Sequence, residues 1–338
     1  MQATIAAKPR TKLFEHVSPY VSRISHLIVN SYLIEDPASQ RWVLIDAGLK
    51  TSTSHIIHAA EERFGADARP EAIILTHGHF DHVGALAGLI ERWKVPVYAH
   101  RLEMPYLTGR AKYPPPDPTV GGGMMAVMSR FFTRGPISIT GHVRALPDNG
   151  DVPGLMPNWR WLATPGHSPG HISLYDAHEG LLVAGDAFVT TKQGSATAVL
   201  MQRQHVNGPP AYFTPDWRSA RDSVRELATL EPEIAATGHG IPMRGEVLKR
   251  QLQTLAKNFE RSAMPRRGRY VRRPAVTDEH GVISVPPPVP DPLPKVAAVV
   301  FGVVALSAFG LLIRSSDRKR RAVRSRSASA NQRALTTR

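Results

Sequence analysis

The sequence predicts an α/β (α+β) protein, and three observations carry that expectation. From Leu13 to about Met264, short apolar runs of strand length alternate with amphipathic runs of helix length. Several of the apolar runs stop abruptly at glycine beside histidine or aspartate, which is where strand ends hand side chains to loops. Hydrophobic residues make up 42% and charged residues 21%, so there is material for a full core and the chain is not disordered as a whole.

Taken in order, HLIVNSYLIE (26–35) and WVLIDAG (42–48) read as consecutive strands around a polar turn at 36–40. Residues 50–64 read as a helix, because Ile56, Ala60 and Phe64 repeat at i, i+4 on one face. EAIILT (71–76) is a short buried strand running into a histidine cluster. DHVGALAGLIERW (81–93) is the helix after it, and VPVYA (95–99) the next strand. Over 109–136 the texture changes: Pro114–Pro116 and Gly121–Gly123 precede Met124, Met125, Met128, Phe131 and Phe132, an apolar group suited to a lid. Alternation resumes with WRWLAT (159–164), HISLYD (171–176), GLLVAGD (180–186) and EIAATGH (233–239), with helices expected over 217–230 and 243–261.

A length of 338 residues allows one or two domains. The absence of cysteine excludes disulfides, Cys-ligated zinc and thiol catalysis. The net charge of +14 is concentrated at one end. Residues 295–338 hold ten Lys/Arg against one Asp, and 257–274 hold seven against one Glu, which leaves residues 1–256 near +2. The basic balance therefore does not describe a nucleic-acid-binding domain.

The domain reading is a catalytic domain over 1–264 and a basic, proline-rich linker over 265–294. A membrane helix over 295–314 and a basic disordered tail over 315–338 follow. VAAVVFGVVALSAFGLLI (296–313) has 18 residues without a charge, about 27 Å of helix and close to the hydrocarbon thickness. The first 25 residues contain no secretory signal. The expected location is thus membrane-associated, with the catalytic domain in the cytoplasm. Membrane lipid would be engaged through 296–313 and the basic tail.

The strongest signal is THGHFDH, with His77, His79, Asp81 and His82 at a strand end. Residues two apart on a strand share a side, so His77 and His79 can face one metal. Asp81 and His82 open a helix and are offset toward a second. His167 follows WRWLAT, Asp186 ends GLLVAGD, and His239 ends EIAATGH, each beside glycine. Five histidines and two aspartates suit two borderline divalent ions sharing a carboxylate and a water. His171 reads as the start of a strand, and His100, His142, His205 and His280 as surface residues.

The series LIDAG, THGHFDH, TPGHSPGH, AGD and TGHG resembles the metallo-β-lactamase superfamily, in its glyoxalase II and lactonase-like branch, over about residues 13–262. The resemblance implies an αββα four-layer sandwich. It implies that His77, His79 and His167 hold one metal, that Asp81, His82 and His239 hold the other, and that Asp186 bridges them. Asp46 would orient the ligand loops. The implied cofactor is a pair of divalent ions, zinc first and iron or manganese as alternatives. The implied reaction is attack of a hydroxide shared by the metals on an ester, thioester or lactone carbonyl of a small molecule, with Asp81 orienting the nucleophile. The alternative within the fold is a mononuclear iron oxidoreductase of the persulfide dioxygenase type. Two departures loosen the substrate: Val189 stands where related lactonases often have Tyr, and AFVTTKQGS follows Asp186 instead of the glyoxalase II signature. Whether the protein self-associates is open at this level.

Overall fold

Strand β4 (Trp42–Ile45) is buried on both faces, and its alternation shows how the layers form. Trp42 and Leu44 face one side, Val43 and Ile45 the other. The computed structural model describes residues 12–121, 123–155, 157–191 and 204–290. Among these, β1 (Glu15–His16), β2 (Val21–His26), β3 (Val29–Glu35), β4, β5 (Ala72–Ile74), β6 (Val97–Ala99) and β7 (Val143–Ala145) make a seven-stranded sheet in that order. A five-stranded sheet runs in the order β12 (Met243–Arg244), β11 (Ile234–Thr237), β10 (Leu181–Gly185), β9 (Ile172–Asp176), β8 (Trp159–Ala163).

Val43, Ile45 and Ile74 of the first sheet meet Leu174, Leu181 and Val183 of the second in a central core. Trp42, Leu44 and Ile73 look outward onto α1 (Thr53–Phe64) and α3 (Leu86–Trp93). Trp42 stacks on Phe64 at 4.8 Å and meets Trp93 edge-on at 5.7 Å, contacts worth about 1 kcal/mol each beyond burial. Leu182, Ala184 and Ala235 look outward onto α6 (Trp217–Thr229) and α7 (Gly245–Lys257). The order is helix, sheet, sheet, helix, the αββα sandwich expected.

Several boundaries differ from the sequence reading. The run 26–35 is not one strand: Leu27 takes φ +62°, β2 ends at His26, and β3 begins at Val29. The helix expected over 81–93 is two, α2 (Phe80–Val83) and α3, because Gly84 N–H and Ala85 N–H donate to the carbonyls of Gly48 and Ala47. Met243 and Arg244 pair with β11 before α7 begins. The stretch after Met264, expected to be a linker, packs instead. Tyr270 is buried against the α6–α7 core, its hydroxyl donating to the Pro115 carbonyl at 2.6 Å, and β13 (Val276–Asp278) pairs with β14 (Gly281–Ser284). The expected membrane helix over 295–314 and the tail over 315–338 lie outside the described residues. No helix among the described residues is long and apolar enough to cross a membrane.

Topology places the site. β4 and β5 run parallel, as do β10 and β11. β8 pairs antiparallel with β9, and β9 with β10, so β8 runs with β10. The C-terminal ends of β8, β10 and β11 therefore share one edge of their sheet, and the closeness of His77 and His82 to Asp186 brings the end of β5 to the same edge.

Candidate metal centre

All seven expected residues meet at that edge. One ligand atom each from His77, His79 and His167 lies within 4.8 Å of the others; the same holds for Asp81, His82 and His239, and for His77, His82 and Asp186. His79 Nδ1 and His167 Nε2 are 2.9 Å apart. Two nitrogens of a tetrahedral zinc site, each about 2.0–2.1 Å from the ion, stand about 3.3 Å apart, so the spacing is of the right size. Asp186 Oδ2 lies 3.4 Å from His167 Nε2, 3.7 Å from His82 Nε2 and 3.1 Å from His239 Nε2. One carboxylate oxygen thus faces members of both triads. Asp81 Oδ2 lies 3.5 Å from His239 Nε2.

The ring protons are set by neighbours. Asp46 sits at φ +59° beyond β4, and its carboxylate accepts from the Thr76 N–H at 2.8 Å, the Thr76 hydroxyl at 2.7 Å and His82 Nδ1 at 2.8 Å. Since the Thr76 hydroxyl donates to Asp46, it accepts from His77 Nδ1 at 3.1 Å. His239 Nδ1 donates to the Ile28 carbonyl at 2.5 Å. All three rings thus carry a proton on Nδ1 and turn Nε2 toward the centre, the orientation metal-binding histidines use.

A second relay holds Asp186. Ser173 donates to the Ala184 carbonyl at 3.0 Å and so accepts from Thr164 at 3.0 Å. Thr164 in turn accepts from His171 Nδ1 at 2.8 Å, and His171 Nε2 accepts from the Asp186 N–H at 2.8 Å.

Two observations test whether these residues fit metal. Among the described residues, His77 Nε2, His82 Nε2 and Asp186 Oδ1 are buried without a hydrogen-bond partner. Each such atom would cost about 1–3 kcal/mol unless a ligand satisfied it. Protonation is the second: it leaves one triad ready for a cation, while in the other a cation would displace protons. Burial, then the neighbouring imidazoles, hold His77 and His167 well below the ordinary histidine range and take His79 to about 3, so these rings are neutral donors at pH 7. Burial opposes charge on His82 and Asp186 as well. The carboxylates of Asp46 and Asp186 nevertheless raise His82 well above its usual value, Asp186 raises His239 against the cost of burial, and His239 and His82 hold Asp186 well below its own, so these two rings hold protons that a bound ion would displace. The donor set fits two divalent ions.

A cavity of about 260 Å³ opens onto these atoms, lined by Ile28, Phe80, Met125, Met128, Phe132, Pro210, Tyr212 and Phe213 together with His79, Asp81, His167, Asp186 and His239. Part of the expected lid segment is therefore beside the site. Phe132 and Met125 face it, while Phe131 is 81% exposed and turned away. No lysine or arginine is among the described lining residues. His142, His205 and His280 are exposed as expected, and His100 is half-buried.

Three supporting groups escaped the sequence reading. His171 appeared only as a strand start. Tyr113 meets His79 edge-on at 4.6 Å. Glu103, fully buried, accepts from both ligand loops. The one available signal for Glu103 was an acid set among Leu102, Met104, Tyr106 and Leu107.

Residues 25–239 match the model of the metallo-beta-lactamase superfamily. The chain is 50% identical over 233 residues to the probable metallo-hydrolase YflN of Bacillus subtilis (strain 168), covering 69% of this chain and 88% of that relative. It is 25% identical over 174 residues to the hydroxyacylglutathione hydrolase of Ectopseudomonas mendocina (strain ymp), a distant likeness covering 52% of each. Among solved structures it resembles TTHA1623 in a di-iron-bound form, with 27% identity, a TM-score of 0.46, and coverage of 71% of this chain and 96% of that one.

Proposed function

This chain belongs to the metallo-beta-lactamase superfamily, and we propose that within it the protein is a two-metal hydrolase of the lactonase and glyoxalase II-like branch. Its substrates on this reading are esters, thioesters or lactones with an apolar acyl part. The observation that carries the reading is the placement of Asp186 Oδ2 against His167 of one triad and His82 and His239 of the other. His77, His79 and His167 would hold one ion, Asp81, His82 and His239 the other, and Asp186 would lie between them. Zinc is the ion we assign, since imidazole and carboxylate without thiolate suit it. Such ions supply water of lowered pKa and polarise a carbonyl oxygen.

The chain's own groups do the rest. Asp81 presents its carboxylate at the cavity wall, where it orients an incoming water and takes up its proton. Tyr212 is kept a neutral phenol by burial, with Asp81 and Asp186 acting in the same sense, and lines the cavity beside them. Phe80, Phe132, Phe213, Met125 and Met128 exclude water from the acyl part and favour apolar over ionic groups. This apolar wall supports an uncharged acyl substrate over a glutathione conjugate.

The test is metal analysis of protein purified without chelator, joined to a screen of ester, thioester and lactone substrates. Two zinc ions per chain and turnover of apolar acyl compounds are expected. Less than one metal per chain, with none taken up on reconstitution, would overturn the reading. One iron per chain with oxygen uptake would replace it by the dioxygenase alternative.

A further inference from the structure

We infer that Glu103 is a positioning residue that controls the His77–His79–His167 metal site and leaves the Asp81–His82–His239 site alone, by tying together the two loops that carry the first set. The inference rests on the two-metal reading above.

Glu103 lies on the single turn Arg101–Glu103 that follows β6, and it is fully buried. Its two carboxylate oxygens face different loops. Oε2 accepts from the N–H of Gly78, the residue between His77 and His79, at 2.9 Å, and from the Tyr113 hydroxyl. Oε1 accepts from the hydroxyl of Ser168, next to His167, at 2.8 Å and from the Gly170 N–H at 2.7 Å. Among the described residues no cation pairs with this carboxylate, so these four donors are what offset the cost of burying it. Burial pushes its carboxyl above the ordinary range, and the donors pull it back.

The contact is tight on both sides. A Cβ added to Gly78 would lie 2.5 Å from the Tyr113 hydroxyl, and one added to Gly170 would lie 2.9 Å from Glu103 Cγ. Tyr113 stacks on Tyr106 at 3.9 Å and meets the His79 ring at 4.6 Å, so the clamp reaches His79 through packing as well as through the backbone. The other triad is held by different groups, His82 by Asp46 and His239 by the Ile28 carbonyl. Asp46 also reaches His77 through Thr76, so that anchor serves both sites, whereas Glu103 bonds only to the loops of the His77–His79–His167 set. Cutting the clamp frees the His79 loop from the His167 loop, which share one ion, and leaves the anchors of His82 and His239 in place.

The test is Glu103→Gln in the full chain, read by cobalt titration with absorption spectra, by zinc stoichiometry after dialysis, and by thermal unfolding of the metal-free protein. The amide keeps the shape but turns an N–H₂ toward two donors whichever way it is placed. One metal should bind as in the wild type and the other about 10–100-fold more weakly. The lost cobalt spectrum should be that of the three-histidine site. Ser168→Ala, which removes one donor and leaves the carboxylate three, should weaken the same site by a smaller factor, and it serves if Glu103→Gln fails to fold. Two wild-type affinities in these variants, or equal loss at both sites, would overturn the inference while leaving the two-metal reading intact. A wild-type protein that binds no cobalt and no zinc would overturn both.

Discussion

Asp186 Oδ2 stands 3.1 Å from His239 Nε2, and the two residues leave neighbouring parallel strands, β10 and β11. The parallel pairing brings together side chains 53 positions apart in the chain.

Replacing Asp186 by asparagine keeps its volume and removes its charge. Groups that merely support ligands cost about 10–100-fold in metal affinity or activity when lost. Asp186→Asn should therefore lower kcat/KM by at least about 100-fold and reduce the bound metal. Metal content near two per chain with normal turnover would show that this carboxylate is not shared by the ions.

Gly238 packs against that same carboxylate. An added Cβ would collide with Asp186 Oδ1 and lie 2.8 Å from His82 Cε1, in a segment whose backbone is pinned by its N–H to the Gly185 carbonyl at 2.8 Å. Gly238→Ala should displace Asp186 or His82 and weaken metal binding by about 10-fold or more, on the scale of losing a supporting group. Calorimetric zinc titration is the check, and unchanged affinity would mean that the loop gives way.

Phe131 and Phe132 are adjacent in sequence and opposite in placement. Phe132→Asp puts a charge in the cavity wall and should raise KM for an apolar ester about 10-fold or more, since a charge left unpaired there resists desolvation. Phe131→Asp changes an exposed side chain and should leave KM within about twofold. Equal effects from both would remove the segment from the substrate wall.

His26 is buried, and burial, with His55 and Arg23 adding to it, lowers its pKa to about 3. The unfolded chain takes up that proton near pH 6.5, the folded chain only near 3, so stability from the neutral ring is present above about pH 6.5 and is lost as pH falls toward 3. Between pH 6 and 4.5, urea unfolding of metal-free His26→Leu should lose stability less steeply than the wild type, by about 1.4 kcal/mol per pH unit. Identical slopes would show that His26 does not contribute this term.

Much of the centre was legible beforehand. His77, His79, Asp81 and His82 lie within six positions, and metal ligation admits few residue types. His167, Asp186 and His239 each end an apolar strand beside glycine, which marks them as loop-borne groups. The layers were foreseeable for a related reason: a strand buried on both faces reads as a continuous apolar run, as in β4 and β10. The run 26–35 misled because nothing apolar breaks at Leu27; a positive φ does.

What the sequence alone determined was the ligand chemistry and the alternation of strand and helix, because both are written in residue type and short-range spacing. The tertiary structure alone decided which groups hold those ligands. The Ile28 carbonyl meets His239 across 211 positions, Glu103 meets Ser168 across 65, and Phe132 rather than Phe131 turns inward. A hydrogen bond between distant segments imposes no period and no composition on either of them. It exists only once strand pairing and core burial have brought the two loops to the same edge.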